Sequence, residues 1–489
     1  MSQPQSTGSH LGGSGAATAD GAGSAGSRSV NQAQNAIGDN SQVYSAKLEL
    51  SPTRSRIGDP IQVTGTGYPP AAAVDLIWHT VEGRYEIEGG TEFVGERFDP
   101  WTQRVGTTRT DRDGKIATTF VVPVGFGGMH DVRATVQGRE VSQAGLTVHP
   151  TLTLTPDKGP IGTSIELRIA GVDQQVNLNT WHVLYDNRYL GFATAVTTDG
   201  VAVARFRAAG PVGKHYIAAW NNSYNSIPYL AWATGPFRDI PGPGTVFTFQ
   251  VTEDPGPAEP VIEDYSRFDH PWPQNTKGPA KLTLTVDRGT VGQPTTLSGR
   301  NLPANTSVQL LWSTTVGDRV SGVGQTHLTR SLGDVETGPN GTFTTNLLIP
   351  DDLGGQHRIE VKDGDRLLGS VGVVIIPSIV SIGPRRVHQG EEISYHLKGV
   401  GWTTYENTYA VTYDNAFIGY VCGFSTHGDV QFKVTATGNP GTHIVDLYPT
   451  IFKGKEEMPR IYSLPQLTYA EDHPARITPA IRTSFEIVE

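Results

Sequence analysis

Apolar and polar residues alternate with a period of two through most of the chain. The pattern is clear at Ile61 and Val63, and again at Val308, Leu310 and Trp312. Successive side chains of a β-strand point to opposite faces, so this alternation predicts strands with one buried and one solvated face. The runs are short and are separated by Gly, Pro, Asp-Gly and Asn-Gly turns, which favour antiparallel strands and almost no helix.

The chain also contains an internal duplication. Lys47-Leu48-Glu49-Leu50 recurs as Lys281-Leu282-Thr283-Leu284, and Tyr185-Asp186-Asn187 recurs as Tyr413-Asp414-Asn415. The matched segments follow one another in the order A-B-A-B, which indicates a duplicated two-domain unit. The predicted divisions are a flexible Gly/Ser/Ala-rich N-terminal arm at 1–45, A1 at 46–150, B1 at 151–252, a Pro-rich linker at 253–279, A2 at 280–377 and B2 at 378–489.

The A and B segments share one plan of strands and turns. Each has a Gly-led turn, a later hairpin-like turn and a Gly-x-His step before a strand. The four Gly-x-His steps are Gly128-Met129-His130, Gly213-Lys214-His215, Gly355-Gln356-His357 and Gly441-Thr442-His443. Many short strands with regular turns are typical of a β-sandwich. The predicted fold is therefore all-β, with four tandem Ig-like β-sandwich domains behind the arm.

Segments such as Thr153-Leu-Thr-Pro-Asp-Lys-Gly-Pro-Ile-Gly-Thr-Ser-Ile165, followed by the Asp-Gly and Gly-x-His steps, resemble bacterial Ig-like domains of the IPT/TIG type. The resemblance covers all four domains, and its motifs carry information on fold. It implies display on a cell surface, adhesion, spacing of other modules or decoration of a virion. Function depends on a site, which the fold alone does not supply.

Residues 1–45 consist mainly of Gly, Ser, Ala, Gln and Asn. A segment with so few large apolar side chains does not bury enough surface to offset its ordering entropy, so we expect disorder. It also lacks the charged start and apolar core of a secretory signal. We expect that the signal was removed, that export follows another route, or that the protein is recruited into an assembly through this arm.

Composition and charge exclude several classes of protein. The chain has 38 basic and 48 acidic residues and a net charge of −10, with no basic stripe of the kind that binds nucleic acid. It has no apolar run of roughly 18 residues, which a transmembrane helix requires. Its single cysteine, Cys422, excludes an intrachain disulfide. We therefore expect neither nucleic-acid binding nor membrane insertion.

The candidate catalytic and metal-binding motifs have simpler structural interpretations. Each Gly-x-His histidine lacks companion ligands at a fixed spacing, so we expect a ring that packs or hydrogen-bonds at the sheet edge. Asp111-Arg112-Asp113-Gly114 and Asp363-Gly364-Asp365 resemble fragments of calcium loops but predict turns. Calcium at a domain junction stays open. No nucleophile elbow or phosphate-binding loop occurs, and we predict no enzyme activity, no cofactor and no metal.

An aromatic and amide-rich stretch in B1, residues 220–232, is the best candidate for a binding surface. Tyr and Trp rings stack on sugar faces while amides bond hydroxyl groups. Tyr224, Tyr229 and Trp232 are the predicted ligand or partner contacts, and packing against a neighbouring domain or subunit is the alternative. The repeated Tyr-Asp-Asn predicts a strand that ends in a hairpin turn.

These observations predict a non-enzymatic structural or adhesion protein. We expect a rod of Ig-like domains on a cell surface, a virion or another large extracellular assembly, recruited through its arm or through strand edges. Its partners would be other protein subunits, copies of itself included. The alternatives are a surface protein that binds polysaccharide through the B-domain aromatic loops, and an accessory chain of a separate enzyme.

Overall fold

The computed structural model describes residues 44–489 except 176–177, 222, 225–226, 229, 231–243, 264–277, 319–323, 402, 404, 452–462 and 476–477. Its regular structure is almost entirely β-strand. Phe424–Thr426 forms one turn of 3₁₀ helix. Among the described residues no helix is long and apolar enough to cross a bilayer. The predicted all-β fold is confirmed.

A1 consists of two sheets that enclose one core. Its strands are β1 (Lys47–Ser51), β2 (Arg54–Ser55), β3 (Pro60–Thr66), β4 (Ala73–Glu88), β5 (Glu92–Arg109), β6 (Ile116–Val121), β7 (Gly128–Val136) and β8 (Arg139–Val148). The three-stranded sheet has the order β1-β3-β6, and the five-stranded sheet has the order β2-β8-β7-β4-β5. Their inner faces meet around Val63, Trp78 and Phe120, as the alternating pattern predicts.

B1 repeats this arrangement. Its strands are β9 (Thr151–Thr155), β10 (Lys158–Gly159), β11 (Ser164–Ala170), β12 (Trp181–Tyr185), β13 (Arg188–Ala193), β14 (Val201–Arg207), β15 (Gly213–Trp220), β16 (Ser223–Tyr224), β17 (Ile227–Pro228) and β18 (Thr245–Val251). The sheets have the orders β14-β11-β9 and β10-β18-β15-β12-β13, and β16 pairs with β17 as a separate hairpin. In both segments a two-residue strand pairs in parallel with the last strand.

A2 follows the linker, which contributes β19 (Val261–Ile262). Its strands are β20 (Lys281–Leu284), β21 (Arg288–Gly289), β22 (Pro294–Arg300), β23 (Ser307–Asp318), β24 (Gly324–Glu336), β25 (Phe343–Leu348), β26 (Gly355–Asp363) and β27 (Arg366–Ile375). The orders β20-β22-β25 and β21-β27-β26-β23-β24 match those of A1 strand for strand. The duplication in the sequence is therefore a duplication of topology.

B2 is the second copy of the B plan. Its strands are β28 (Ser378–Gly383), β29 (Arg386–His388), β30 (Glu392–Lys398), β31 (Thr408–Tyr413), β32 (Ala416–Cys422), β33 (Val430–Thr435), β34 (Gly441–Thr450) and β35 (Ile481–Val488). The sheets have the orders β28-β30-β33 and β19-β35-β34-β31-β32, and β29 also pairs with β35. Every residue of β31 and most residues of β34 are buried. This part of the sheet is therefore covered on both faces.

The same backbone bond closes both A–B junctions. The Gly127 N–H donates to the Val172 carbonyl at 2.9 Å, and the Gly354 N–H donates to the Val400 carbonyl at 2.8 Å. A Cβ atom on Gly127 would lie 2.0 Å from the Gly171 carbonyl oxygen. Only glycine permits this approach, and the repeated contact makes the A–B pair the structural unit.

The expected linear rod is wrong for the two B segments, because they lie side by side. Leu467 and Tyr469 of B2 are buried in the same hydrophobic cluster as Phe249 of B1. The rod followed from treating each segment as a sandwich with a core of its own. The core of B1 instead includes side chains that come from the end of the chain.

The linker does more than separate the two A–B units. Its strand β19 pairs with β35, and the Asp254 carboxylate accepts the Thr442 N–H at 2.8 Å. The Arg385 guanidinium binds the Glu259 carboxylate at 2.8 Å. Residues 253–263 are thus attached to B2, while the linker aromatic residues Tyr265, Phe268 and Trp272 lie outside the described residues.

Replacing Gly127→Ala should loosen the A1–B1 junction. The new methyl group must displace the backbone carbonyl of Gly171, so we expect the free energy of unfolding to fall by about 1–3 kcal/mol. Urea titration measures the loss, and hydrogen exchange of the Gly127 amide locates it. Gly125→Ala is the matched control, because no atom lies within 4 Å of its Cβ position. Equal behaviour of the two variants would contradict the steric account.

Candidate functional site

The predicted contact residues of B1 lie at the limit of what the structure describes. Tyr224 lies in strand β16, paired with Ile227 of β17. Tyr229 and Trp232 lie outside the described residues, and the side chain of Tyr224 is not described either. The role of these three residues in binding a glycan or a partner stays a prediction.

The Gly-x-His histidines of the A domains belong to the packing of their sandwiches. The His130 ring stacks on Trp78 with centroids 4.4 Å apart, and its nitrogens lie 2.9 Å and 3.0 Å from the carbonyls of Phe126 and His79. His357 stacks on Trp312 in the same way. Burial lowers the pKa of both rings, against the opposing effect of these carbonyls. The prediction that these rings pack or hydrogen-bond is confirmed, but they lie on β7 and β26, which are interior strands of their sheets, and not at an edge.

In the B domains the histidine is held by the repeated Tyr-Asp-Asn. The His215 Nδ1 lies 2.6 Å from an Asp186 carboxylate oxygen, and the other oxygen accepts the Tyr216 N–H. His443 and Asp414 repeat the pair at 2.6 Å. Asp186 and Asn187 have φ of 48° and 62°, so the predicted turn is confirmed. Besides forming the turn, each aspartate also binds the strand that carries the histidine, β15 in B1 and β34 in B2.

The preceding tyrosine completes this unit. The Tyr185 hydroxyl donates to the Ala209 carbonyl at 2.9 Å, and the Tyr413 hydroxyl donates to the Thr437 carbonyl. Each tyrosine thereby ties down the loop that crosses its histidine ring. Asp186 and the Asp414–His443 pair line one cavity of about 840 Å³ between B1 and B2. Both nitrogens of each histidine ring already have partners, so both histidines are structural groups.

The centre of the B1–B2 junction is a segment of B2, residues 464–470, which we call the donated segment. It lies between the edges of β13 and β14 of B1. The Leu467 N–H donates to the Phe192 carbonyl at 2.8 Å, the Phe192 N–H donates to the Pro465 carbonyl at 2.9 Å, and the Arg205 N–H donates to the Leu467 carbonyl at 2.9 Å. The donated segment thus pairs with one edge of each B1 sheet and closes that side of the sandwich.

Beside the donated segment, one fully buried carboxylate holds two arginines. Asp446 of β34 binds Arg207 of B1 at 2.5 Å and Arg482 of β35 at 2.9 Å. Arg482 also binds the Glu263 carboxylate at 2.6 Å and lies over the Tyr448 ring, 4.7 Å from its centroid. These contacts pair each buried charge, which offsets the cost of removing it from water.

The A1 hairpin β4–β5 reaches the same junction. Phe93 packs with Phe192 of B1 and Ile451 of B2 in one cluster. Near it, the Asn179 amide donates to the Glu96 carboxylate at 2.5 Å. Burial, followed by the charge of Asp472, raises the pKa of Glu96 to about 8.

The Asp472 carboxylate is fully committed to B1. It accepts the N–H groups of Val196 and Thr197 and the Thr197 hydroxyl, each at 2.8 Å. A carboxylate bonded to three donors fixes a loop and is a poor general base. Segments of A1, B1 and B2 therefore meet in a polar network that holds their backbones in place.

The two acidic motifs of the A domains form turns. Among the residues that the structure describes, no group of three or more His, Cys, Asp or Glu side chains is arranged to hold a metal ion. The Asp111 carboxylate accepts the N–H groups of Asp113 and Lys115 at 2.9 Å and 2.8 Å. Asp363 and Asp365 flank Gly364, which has φ of 55° in the turn between β26 and β27. Both motifs form turns, as predicted.

The residues of the B1–B2 junction have weak sequence signals. Asp446 and Arg482 stand in strands where B1 has the apolar Ala218 and Val246, and such charges usually mark a solvated face. The donated segment lies in a long connection between β34 and β35 and has no strand period. The one available signal is the difference between the sister B segments at these positions.

No protein-family model and no curated protein sequence matches the chain. Among solved structures it is similar to an ICAM-5 D1–D4 ectodomain fragment, with 13% identity over 91% of this chain and 100% of that one, at a TM-score of 0.18. It is also similar to Escherichia coli alpha-2-macroglobulin activated by porcine elastase, with 10% identity over 91% and 53% of the two chains, at a TM-score of 0.18.

A third similar structure is the Yersinia pseudotuberculosis adhesin InvE. The identity is 13% over 46% of this chain and 58% of that one, with a TM-score of 0.16. TM-scores this low do not indicate a shared arrangement of the whole chains. The fold of this protein is established by its own sheet topology.

Replacing Asp446→Asn should break the B1–B2 junction. Asparagine has the same shape but leaves Arg207 without a carboxylate and Arg482 with Glu263 alone, so we expect the free energy of unfolding to fall by about 3–5 kcal/mol. Urea titration of the full chain measures it. Glu392→Gln is the matched control, since its pair with Lys433 is exposed and should contribute less than about 1 kcal/mol. Similar losses in the two variants would contradict the role given to Asp446.

The His443–Asp414 pair should make stability depend on pH. Burial lowers the pKa of His443, but the hydrogen bond and charge of Asp414 outweigh it, so the folded-state pKa lies above 6.5. The contribution is complete below pH 6.5 and is lost as pH rises through the folded pKa. Urea titrations should therefore show a larger stability difference between the wild type and His443→Gln at low pH than at high pH.

His357→Gln supplies the control for this pH dependence. Burial lowers the pKa of His357, so the neutral ring contributes stability above pH 6.5 that is lost as the pH falls through the folded pKa. The two variants should consequently show opposite slopes. Parallel slopes would contradict the Asp414 ion pair as the cause.

Proposed function

We propose that this protein is a non-enzymatic structural and adhesion protein that acts outside a cell, on a cell surface, a virion or another large assembly. The observation that carries the proposal is the B1–B2 junction, where the donated segment completes the core of the sister domain. Such interlocking holds Ig-like domains at a fixed distance and angle, which a displayed scaffold requires.

The polar groups that catalysis would use are engaged in holding this scaffold. His215 and His443 bind aspartates, and Asp472 is bonded to three donors. A catalytic base needs access to the proton that it removes. The geometry of these groups therefore supports a scaffold better than a reaction.

The resemblance to IPT/TIG-type domains supports display at a surface, and the Gly/Ser/Ala-rich arm supports recruitment into an assembly. In this proposal the arm or an open strand edge attaches the protein, while the four sandwiches, with B1 and B2 interlocked, form the displayed body. Strand edges present unpaired backbone groups, which makes strand addition an available mode of attachment.

Surface labelling of the organism or particle that makes the protein tests this proposal. A membrane-impermeant, amine-reactive biotin should label the chain on intact cells or particles, because side chains such as Lys47 and Lys433 are exposed. The label is read by streptavidin capture and immunoblotting, with a known cytoplasmic protein as the control. Labelling only after lysis would contradict display outside the cell.

A further inference from the structure

The outward face of the five-stranded sheet of A2 carries a polar cavity of about 530 Å³. Gln356 and Arg358 flank His357, whose ring packs inward, so their side chains point outward. Ser313 lies opposite Arg358 in the strand register, and the outward residues of β24 lie opposite those of β23. Six residues on three neighbouring strands thus share this face, which we call the A2 polar face: Arg358, Gln356, Ser313, Thr315, Thr329 and His327.

Every side chain of the A2 polar face can form hydrogen bonds. Hydroxyl, amide and imidazole groups both donate and accept, whereas a guanidinium group only donates. Gln356, Thr329 and His327 are exposed to solvent, and Ser313 and Arg358 are half-buried. A ligand in the cavity would therefore meet several groups that bind hydroxyls, beside a single positive charge.

The charge of Arg358 is not neutralised within the part of the chain that the structure describes. Its guanidinium group has no hydrogen bond or ion pair there, and no Asp or Glu is among the described residues that line the cavity. Gly372, opposite Arg358 on β27, brings no side chain, and Glu360, two positions along β26, pairs with Lys362 at 3.3 Å. A partly buried charge without a partner costs free energy, which an anionic ligand would recover.

The sister positions of A1 lack this character. Asp131 stands in place of Arg358, and an arginine of the same strand binds it at 3.3 Å. Val81 pairs with Pro100 across the strands, and Met129 lies beside them, at positions that are polar in A2. The two sheets have the same strand order, so the unneutralised polar cavity is a property of A2 and not of the fold.

We propose that the A2 polar face binds a saccharide that carries one carboxylate on an otherwise neutral chain. The planar guanidinium of Arg358 would bind the carboxylate through two parallel hydrogen bonds, while Ser313, Thr329 and Gln356 bind sugar hydroxyls. The inference rests on the proposed adhesive function and gives it a class of ligand.

The composition of the A2 polar face favours a sugar acid over other anions. The six outward positions hold no apolar residue that would contact the side chains of a peptide. One arginine matches one carboxylate, whereas a densely charged polymer such as a nucleic acid meets a chain of net charge −10.

Binding of the full-length protein to oligosaccharides, measured by isothermal titration calorimetry, tests the proposal. The probes are neutral oligosaccharides that end in one glucuronate, galacturonate or sialate residue, and the same compounds with the carboxylate reduced to an alcohol. The wild type should bind at least one acidic probe. It should bind the reduced counterpart about tenfold more weakly, because the charge-assisted bonds to Arg358 are lost.

Three variants assign the binding to the A2 polar face. Arg358→Gln should weaken binding of the acidic probe about tenfold and leave binding of the reduced probe unchanged. Gln356→Met, which introduces the residue of A1, should weaken binding of both probes. Arg366→Gln is the matched control, because it removes the same charge at an exposed position of the same sheet outside the cavity. Since Arg358 has no partner among the described residues, its replacement should not lower the unfolding midpoint.

Several outcomes overturn the proposal. They are a wild type that binds none of the acidic probes, binding of the acidic probe that is equal in the wild type and Arg358→Gln, and tighter binding of a polyglutamate peptide than of any oligosaccharide. None of these bears on surface labelling, so a protein that is labelled on intact cells and binds no acidic probe would refute the A2 site and leave the proposed function standing. Labelling only after lysis, together with binding that depends on Arg358, would have the opposite effect.

Discussion

The burial of one carboxylate between two guanidinium groups is the constraint on which the arrangement of the B domains depends. Asp446 and Arg482 are buried and Arg207 is nearly so, and both guanidinium groups bind the same carboxylate. A buried ion pair contributes little net stability compared with apolar residues of the same volume, but it penalises strongly any arrangement that leaves a charge alone. The placement of Arg207 of β14 beside Asp446 of β34 is consequently specified by charge, while the surrounding apolar contacts supply most of the stabilisation.

The other elements of the junction surround this ion pair. The connection from β34 to β35 passes the open side of B1, and its backbone bonds to Phe192 and Arg205. The linker contributes Glu263 to Arg482, and the A1 hairpin brings Phe93 to the same cluster. One continuous network thus connects segments that lie far apart in the sequence, and the local Tyr-Asp-His units stabilise the loops at its border.

How far the sequence predicted this structure depended on whether the relevant interaction was local. The alternation at Ile61 and Val63 predicted a strand because the pleat and the core act on neighbouring residues. The Gly-x-His histidines could be assigned to packing because they lack companion ligands. From the sequence alone, Asp446 and Arg482 look like solvated positions of a strand. Their partners Arg207 and Glu263 come from B1 and the linker, and the local residue pattern gives no sign of them. The burial of Leu467 and Tyr469 in B1 could not be predicted either, because an irregular segment that inserts into a neighbouring domain shows no strand or helix pattern.

The donated segment also imposes an order on the making of the protein. Residues 464–470 leave the ribosome after A2 and most of B2, whereas the core that they complete belongs to B1 and was translated earlier. Domains generally fold as they emerge, from the N-terminus onward, but B1 must keep Leu190 and Phe192 uncovered until A2 and most of B2 have been made. A nascent or truncated chain therefore carries an open acceptor that fits the donated segment of any neighbouring molecule. Transfer of that segment from one molecule to the open B1 of another would be a domain swap, and linkage to its own B1 is what favours capture within one chain.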